Sequence, residues 1–447
     1  MYYTYVLYVC MIPVMDNRRI LISGASIAGP ALAYWLARRG FSPTVVERAP
    51  QLRGGGYAVD FRGAAHLSVL ARMGILDQIR AQQTRLATTT YVDEEGRPVA
   101  RMPAGIFAGD VEILRGDLGR ILYEATSDRT EYLFGESITS LRQDAGGVHV
   151  TFSQAAPRTF DLVIGADGLH SVVRSLAFGP EPACVQPIGC YTAWFTAPAG
   201  IDLDGWFLMH RAPGGRVVSA RPGRRPGEIK AGFSFRSPPI TYDRRDITGQ
   251  QDLLARRFAG VGWEAPWLLG SMRAAPDFFF DSMGQVRLDH WSAGRTALVG
   301  DAGYCPTPLT GLGTSLALVG AYVLAGELAA ARGDHRTAFI RYEEVIRAYV
   351  TQSQKLPPGG ASGYAPGSRI AVALSNASMG LMSRWPVRLL LAKQFSKAGD
   401  IDLPDYEATE VAGTSGTSGT VGAAGAAGAG SGGGGGRGGG LAGGRLQ

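Results

Sequence analysis

Lysine is scarce in this sequence, and the basic residues are almost all arginines. Only four of the 44 basic residues in the 447-residue chain are lysines (Lys230, Lys355, Lys393 and Lys397), and the net charge is +6. The arginines are scattered, and no run of them alternates with aromatic residues as a binder of single-stranded nucleic acid would require. The charge therefore predicts no nucleic-acid partner.

Cysteine is also rare, and its spacing is irregular. Cys10, Cys184, Cys190 and Cys305 form neither a Cys-x-x-Cys pair nor a regular framework. The pattern predicts reduced thiols in a cytoplasmic protein. No spacing of histidine, cysteine and glutamate suggests a metal site, and no Gly-x-Ser-x-Gly turn suggests a hydrolase.

Neither end of the chain has the pattern of a folded or membrane-spanning segment. The apolar, tyrosine-rich stretch Met1 to Met15 has no basic region before it and is shorter than the ~20 residues that span a bilayer. We expect translation to begin at Met15 and no stable membrane insertion. Residues 407–447 consist mostly of glycine, alanine, serine and threonine, so this tail is predicted to be disordered.

Three separated segments have the pattern of a buried strand, a turn and a helix, near 18–48, 158–176 and 295–332. This pattern is typical of a parallel sheet. Between the segments, 85–104 and 183–284 are rich in strand-forming residues. The sequence therefore predicts an α/β fold in which a Rossmann-like domain is interrupted by a mostly antiparallel β-sheet domain. Two C-terminal helices, separated at Pro386, are predicted before the tail.

The first of these segments fits a dinucleotide. An apolar strand leads into the turn Gly24-Ala-Ser-Ile-Ala-Gly29, a helix follows, and the next strand ends at Glu47, 23 residues after Gly24. Glycines let the backbone approach a pyrophosphate, the helix N-terminus stabilises its charge, and a carboxylate accepts from ribose hydroxyls. Ser26 replaces the middle glycine of the usual fingerprint. A plain βαβ turn is the alternative for this segment alone.

The other two segments also end their strands at polar residues. The second strand ends in Asp167-Gly168, and the third ends in Gly300-Asp301, followed by Gly311-Leu-Gly313-Thr-Ser before an apolar helix. A helix that begins at Gly313 aims free N–H groups at any negative charge near its start. A capped core helix after a Gly-rich turn would explain the helix but not the preceding Gly-Asp.

Together, the order and spacing of these motifs resemble the class A flavoprotein aromatic hydroxylases. These have the p-hydroxybenzoate hydroxylase-like fold, and the resemblance is to the branch of tetracycline- and rifampicin-modifying monooxygenases and polyketide hydroxylases. It covers roughly Arg18 to Tyr349. The family's usual histidine after Gly-Asp-Ala-Ala is missing, since Gly303 and Tyr304 stand there.

The resemblance implies FAD as the bound cofactor and assigns residues to it. Gly24 to Gly29 and Glu47 are assigned to the ADP half, Asp301 to the ribityl chain, and Arg53 to a nicotinamide nucleotide. The full cofactor-binding set is Gly24, Ser26, Ile27, Ala28, Gly29, Glu47, Arg53, Asp60, Arg115, Asp167, Gly168, Gly300, Asp301, Pro308, Gly311, Gly313 and Thr314.

The strand, helix and composition patterns predict a division of the chain. Residues 16–84, 105–182 and 285–355 are the three parts of the FAD-binding domain, 85–104 is a hairpin of the substrate domain, 183–284 is the rest of that domain, 366–400 holds the C-terminal helices, and 407–447 is the tail.

The implied activity is an FAD-dependent monooxygenase. It would use NADPH or NADH and O2 to hydroxylate a small aromatic or polyketide substrate through a flavin C4a-hydroperoxide, in secondary metabolism or antibiotic modification. With one fingerprint at a βα turn, the chain has no second dinucleotide domain for a stably bound NADPH. Two alternatives stay open, a flavin dehydrogenase without oxygen insertion and a non-catalytic protein that keeps the fold.

The substrate side of the site is less defined by the sequence. A base that assists a phenolic substrate has three weak candidates, His210, Tyr191 and Arg211, although a structural role is favoured for each. A looser arginine cluster is favoured as a solvated sheet face, and the alternative is that it attracts an anionic substrate or the cofactor's phosphates. Its members are Arg211, Arg216, Arg221, Arg224, Arg225, Arg236, Arg244 and Arg245.

Overall fold

The computed structural model describes residues 16–61, 63–84, 88–103, 109–203, 205–382 and 401–407. The strands are β1 (Arg19–Ser23), β2 (Ser42–Glu47), β3 (Ala58–Phe61), β4 (Thr88–Val92), β5 (Pro98–Pro103), β6 (Val111–Leu114), β7 (Glu131–Phe134), β8 (Ile138–Asp144), β9 (Gly147–Phe152), β10 (Arg158–Phe160), β11 (Leu162–Gly165), β12 (Val185–Pro198), β13 (Phe207–Ala212), β14 (Arg216–Pro222), β15 (Glu228–Arg236), β16 (Phe279–Val286), β17 (Ser292–Ala293) and β18 (Thr296–Leu298).

The helices are α1 (Ala28–Arg38), α2 (Ala64–Arg72), α3 (Leu76–Ala81), α4 (Arg115–Glu124), α5 (Val172–Ala177), α6 (Glu181–Cys184), α7 (Ile247–Arg257), α8 (Ala265–Met272), α9 (Asp301–Tyr304), α10 (Gly313–Ala330), α11 (His335–Ser353), α12 (Gly360–Tyr364) and α13 (Arg369–Met382), with a short 3₁₀ turn at Pro308–Thr310.

A six-stranded sheet brings together the three predicted strand–turn–helix segments. Its order is β17-β18-β11-β1-β2-β7, and every pair is parallel except β17 with β18. The central strand β1 is fully buried at Ile20, Leu21 and Ile22, as expected for a strand covered on both faces. The predicted parallel sheet is confirmed. Because parallel strands share one carboxyl edge, Ser23 and Glu47 at the ends of β1 and β2, and Asp167 and Asp301 just after β11 and β18, lie at that edge.

Helices α1 and α10 pack against each other beside this sheet. Helix α10 is long and apolar enough to cross a membrane by length and composition, but 78% of its 18 residues are buried inside the protein. A helix that is hydrophobic on all sides is what the interior of a large fold requires. Helix α10 is therefore a core helix whose N-terminus points from the interior towards the carboxyl edge.

The second large sheet is mostly antiparallel, as predicted. Its order is β16-β12-β15-β14-β13-β4-β5. Neighbouring strands are antiparallel except β13 and β4, which are parallel. The hairpin β4–β5 thus joins strands that lie more than a hundred residues later in the chain. Two smaller antiparallel sheets, β10-β9-β8 and β3-β6, complete the strand pairing of the described residues.

The two faces of the seven-stranded sheet differ in chemistry. One face, which we call the helix-covered face, carries Phe195, Phe233 and Phe235 and packs with residues of α7 and α8. The other, the polar face, carries six buried polar side chains that share cross-strand rows. They are Thr192, Arg211, Ser219, Arg221, Lys230 and Ser234.

Some predictions fall outside the described residues. These are the start at Met15, the second C-terminal helix beyond Pro386, and the tail after residue 407. The first predicted C-terminal helix is α13, and the short helix α12 precedes it. The residue ranges of the two domains stay a prediction, since the described residues up to Pro404 form one compact unit.

Candidate cofactor and substrate site

The turn between β1 and α1 is too tight for side chains at both of its glycines. A Cβ on Gly24, whose φ is +109°, would lie 2.5 Å from the Ala166 carbonyl oxygen, and one on Gly29 would lie 1.9 Å from the Gly24 oxygen. Helix α1 then starts at Ala28, and no side chain caps it at Ile27. Its first N–H groups are therefore available to an anion at the end of the turn.

Two charged side chains converge on this turn. One carboxylate oxygen of Glu47 accepts from the Ala25 N–H at 2.9 Å, and the other accepts from the Ala49 N–H at 2.9 Å. The Arg115 guanidinium donates to the Ser26 hydroxyl at 2.9 Å. The serine in place of the middle glycine thus links the turn to α4. A phosphate bound here would have both an N-terminal helix end and a cation beside it.

Asp167 holds the second segment in shape through its own side chain. Its carboxylate accepts from the Ser23 hydroxyl at 3.1 Å, from the Ser171 hydroxyl, and from the N–H groups of Val172 at 2.9 Å and Val173 at 3.2 Å. Burial raises the pKa of Asp167, while the hydrogen bond from Ser171 and the helix N–H groups oppose that shift. The side chain therefore ties the end of β1 to the start of α5.

The buried Arg174 connects this segment to the third one. Its guanidinium donates to the carbonyl oxygens of Ala302 at 3.0 Å and Leu169 at 2.6 Å. Gly168, with φ of +81°, turns the chain between Asp167 and Leu169. The loops after β11 and β18 are thereby held together at the carboxyl edge.

The third segment places a carboxylate at the start of the core helix. Asp301 is half-buried, desolvation of its carboxylate raises its pKa, and the Arg115 guanidinium opposes the shift. A Cβ on Gly313, the first residue of α10, would lie 3.5 Å from an Asp301 carboxylate oxygen. No side chain caps α10. Within the described part of the chain, the buried hydroxyls of Ser315 and Thr307 have no hydrogen-bond partner.

The loop Gly54–Tyr57 borders the same site. The Arg115 N–H donates to the Tyr57 carbonyl at 3.1 Å, and the Gly116 N–H donates to the Gly55 carbonyl at 3.1 Å. Burial raises the pKa of Tyr57, the Arg115 guanidinium opposes this, and Asp301 adds to it. Arg53 is exposed just before the loop. Asp60 lies on β3, paired with Glu112 of β6.

These features fit FAD. The glycine cradle between β1 and α1 suits a pyrophosphate, Glu47 suits a ribose, half-buried Asp301 suits a polyol, and buried Ser315 suits a polar ring edge. Pro308, Gly311, Gly313 and Thr314 form the loop and first turn of α10. When bound, FAD supplies the redox chemistry, taking hydride from a nicotinamide and reacting with O2. The protein's part is to bind, orient and exclude water.

Half-buried aromatic rings lie where the seven-stranded sheet meets this loop. The Trp194 ring centroid is 6.2 Å from that of Tyr57 and 6.4 Å from that of Phe207. A Cβ on Gly232 would lie 3.0 Å from the Trp194 ring. The glycine thus lets the indole lie across β15. Flat apolar rings with polar neighbours form a surface suited to a planar organic molecule.

The three weak candidates for a base lie on different faces. Tyr191 is on the helix-covered face, stacks on Phe235, and accepts from the Ile240 N–H at 2.9 Å. His210 is on the same face, with Nδ1 3.1 Å from the Val92 carbonyl oxygen. Both therefore lie on the side away from the loop at Gly54–Tyr57. Arg211 alone of the three is on the polar face.

Sequence reasoning missed several buried polar contacts of the polar face. Lys230 pairs with Asp277 and donates to the Thr196 hydroxyl at 2.7 Å. A Cβ on Gly55 would be 2.5 Å from an Asp277 oxygen, so this pair lies against the Gly54–Tyr57 loop. Lys230 is one of only four lysines and lies in the middle of a strand-like run. A lysine in such a run could have indicated a buried ion pair.

Comparisons with known proteins agree with this geometry. The FAD binding domain family matches residues 17–352. An uncharacterised protein of Mycobacterium tuberculosis is 47% identical over 354 residues, covering 77% of this chain and 95% of that protein. A flavin-dependent monooxygenase of Legionella longbeachae is 41% identical over 343 residues, covering 76% and 87%. The crystal structure of tetracycline destructase Tet(55) is 39% identical with a TM-score of 0.74, covering 88% of this chain and all of that one. The chain belongs to the class A FAD-dependent monooxygenase family.

Proposed function

We propose that this FAD-dependent monooxygenase hydroxylates a planar aromatic or polyketide-type molecule that lies on the polar face beside Trp194. The observation that carries the proposal is an aromatic surface in which Trp194 contacts Phe207 on one side and Tyr57, the last residue of the Gly54–Tyr57 loop, on the other. The similar tetracycline destructase supports a polycyclic substrate. Burial between a sheet and a flavin would also exclude water from the reacting carbon.

We further propose that FAD is held by the residues gathered at the carboxyl edge of the parallel sheet. Gly24 to Gly29 and Glu47 take the ADP half, Asp301 takes the ribityl chain, and Asp167 with Gly168 shapes the loop beside them. The support is the convergence of Arg115 on both Ser26 and Asp301. Arg115 would therefore link the phosphate end of the site to the ribityl end.

NADPH is the proposed reductant, and it visits the enzyme without a second dinucleotide domain. Arg53 is exposed next to the Gly54–Gly56 loop, where a guanidinium can fork to phosphate oxygens. We also infer a cytoplasmic location, because the described cysteines Cys184, Cys190 and Cys305 are free thiols. Fractionation of producing cells tests the location.

Isotope labelling tests the reaction. Purified enzyme is loaded with FAD, supplied with NADPH and tetracycline under heavy-isotope O2, and the product is weighed by mass spectrometry. We expect substrate-stimulated NADPH oxidation and one labelled oxygen in the product. NADPH oxidation with no label in any product, across tetracycline and a panel of planar phenols, would contradict oxygen insertion and favour a dehydrogenase.

A further inference from the structure

Three cations are buried on the polar face, and two of them have a carboxylate partner. Arg221 donates to Glu112 at 2.6 Å, and Lys230 pairs with Asp277. The third, Arg211, is only 5% exposed. Among the described residues it forms no ion pair with a carboxylate. A buried guanidinium without a counter-charge is costly, because desolvation removes the water that stabilises it.

The contacts that Arg211 makes with other described residues are all with neutral groups. Its guanidinium carbon lies 4.1 Å from the centroid of the Tyr91 ring, and one of its terminal nitrogens donates to the Ser375 hydroxyl at 2.7 Å. Its buried Nε has no partner within the described part of the chain. The planar fork is therefore held by a ring and a helix residue, while part of its donor capacity stays unused.

The hydroxyl groups near Arg211 do not supply a negative charge. Burial raises the pKa of Tyr91 although the Arg211 guanidinium opposes this, and burial also raises the pKa of Tyr364. The Tyr364 hydroxyl donates to Ser234 at 3.1 Å, and Thr192 and Ser234 share a hydrogen bond of 2.9 Å. These phenols stay neutral at ordinary pH, so the positive charge is not balanced by them.

The distance between Arg211 and the Gly54–Tyr57 loop, which we call the cofactor loop, sets the length of a ligand that contacts both. Phe207, Arg221 and Lys230 lie in one cross-strand row, at the end of the sheet where Asp277 meets Gly55. Arg211 is four residues further along β13 on the same face, which at ~3.3 Å per residue is ~13 Å away. Trp194, Ser219 and Met209 form the row between them.

We propose that Arg211 is an anion subsite of the substrate-binding face, and that it takes a pair of anionic oxygens, as in a carboxylate, on the end of an aromatic substrate far from the flavin. The guanidinium fork matches two coplanar oxygens. Binding would supply the counter-charge that the described protein lacks, and would orient the opposite end of the ring system towards the cofactor loop. This inference rests on the proposed function, since it deepens the assignment of the same face.

The test compares two probes of nearly the same shape, one with an anionic carboxylate and the other with a neutral amide. Holoenzyme is titrated with a hydroxynaphthoate and with the corresponding hydroxynaphthamide, and each Kd is read from the change in the flavin absorption spectrum. We expect the carboxylate to bind about tenfold more tightly than the amide. In Arg211→Met this ratio should fall to about one, and Arg211→Lys should keep part of it because the charge remains.

Arg101→Met is the matched control. Arg101 lies over the Trp206 ring at 4.6 Å at the edge of the same sheet, so its removal also deletes a stacked arginine. The ratio of the two Kd values should not change in this variant. Because a ratio is measured, partial loss of stability in Arg211→Met does not decide the result, and Arg211→Lys gives a second reading if that variant does not fold.

A wild-type enzyme that does not prefer the carboxylate overturns the inference, as does an unchanged ratio in the folded Arg211 variants. Failure of the proposed function looks different. In that case the flavin bands or the labelled oxygen are missing, whatever the charge preference of the probes.

Discussion

Asp301 shows how much of the cofactor site depends on single residues. Its carboxylate is half-buried beside the first residue of α10, and the Arg115 guanidinium opposes the rise in its pKa that desolvation causes. Buried charges are retained where a partner or ligand uses them. A polyol chain with several hydroxyl donors is such a ligand, and the free N–H groups of α10 provide the complementary positive end.

We therefore expect Asp301→Ala to lower FAD affinity by about tenfold or more, since hydrogen bonds to a buried charged acceptor are worth ~1.5–3 kcal/mol. The measurement is the flavin-to-protein ratio after purification and the Kd of FAD for the apoprotein. Asp301→Asn, which keeps an acceptor oxygen, should lose less. Unchanged flavin content in the alanine variant would contradict the assignment.

Arg53 makes a separate prediction because it is exposed beside the Gly54–Gly56 loop. Arg53→Ala should raise the KM for NADPH by about tenfold, the effect of one charge-assisted contact of ~1.4 kcal/mol. Bound FAD should stay constant. Steady-state kinetics on the holoenzyme decides this, with Arg129→Ala as the exposed control paired to Asp128. A fall in FAD content would instead show that Arg53 only stabilises the loop.

At the level of elements, the sequence predicted the strand–turn–helix segments but not the faces of the antiparallel sheet. The turns at Gly24 and Gly300 are set by local chemistry, so they could be read from neighbouring residues. His210 and Arg211 are adjacent on β13 and point to opposite faces. Because side chains alternate with period two, their roles depend on register with β14 and β4, which is a long-range property.

A charged network joins two elements that the sequence did not connect. His170 lies in the loop after β11, with Nδ1 3.0 Å from Glu181 of α6 and Nε2 2.9 Å from Asp281 of β16. Arg244 donates to Glu181 at 2.6 Å, and the Tyr242 hydroxyl donates to Asp281 at 3.1 Å. Carboxylates at both ring nitrogens favour the doubly protonated form of a histidine.

This network predicts a pH dependence of stability. Burial lowers the pKa of His170, but hydrogen bonds to Asp281 and Glu181 outweigh it and raise the pKa overall. The stabilisation is therefore complete below the unfolded value of ~6.5 and is lost as the pH rises through the folded pKa. Burial raises the pKa of Glu181, yet His170 and Arg244 bring it down to about 2, so its contribution is lost only as the pH falls towards that value.

The difference in unfolding free energy between wild type and His170→Gln should accordingly be largest below about pH 6.5 and shrink in alkaline buffer. Denaturant titrations over this range measure it. His149→Gln is the control, because His149 pairs with Asp144 on the more exposed β8–β9 hairpin, and it should change little. A difference that does not vary with pH would show that His170 is neutral in the folded protein.

At the scale of the whole molecule, a buried ion pair joins strand β6 to the polar face of the seven-stranded sheet. Glu112 on β6 accepts from Arg221 on β14, and the Thr84 hydroxyl also donates to Glu112. The Arg221 side chain is 6% exposed and that of Glu112 is 14% exposed. The sequence placed neither partner here, since β6 and β14 are over a hundred residues apart and their contact depends on the assembled fold.

Removing one partner of this pair should therefore cost far more than removing both. Glu112→Gln leaves the Arg221 charge buried without compensation, which typically destabilises a protein by ~3–5 kcal/mol, whereas Glu112→Leu with Arg221→Met should recover much of the loss. The control is Glu131→Gln, which breaks the half-exposed pair between Glu131 and Arg158 and should cost no more than ~1 kcal/mol. Chemical denaturation of the holoenzymes gives the three values. If Glu112→Gln lowers the unfolding free energy as little as Glu131→Gln does, then water reaches Arg221. In that case apolar contacts hold the β3–β6 sheet and the seven-stranded sheet together instead.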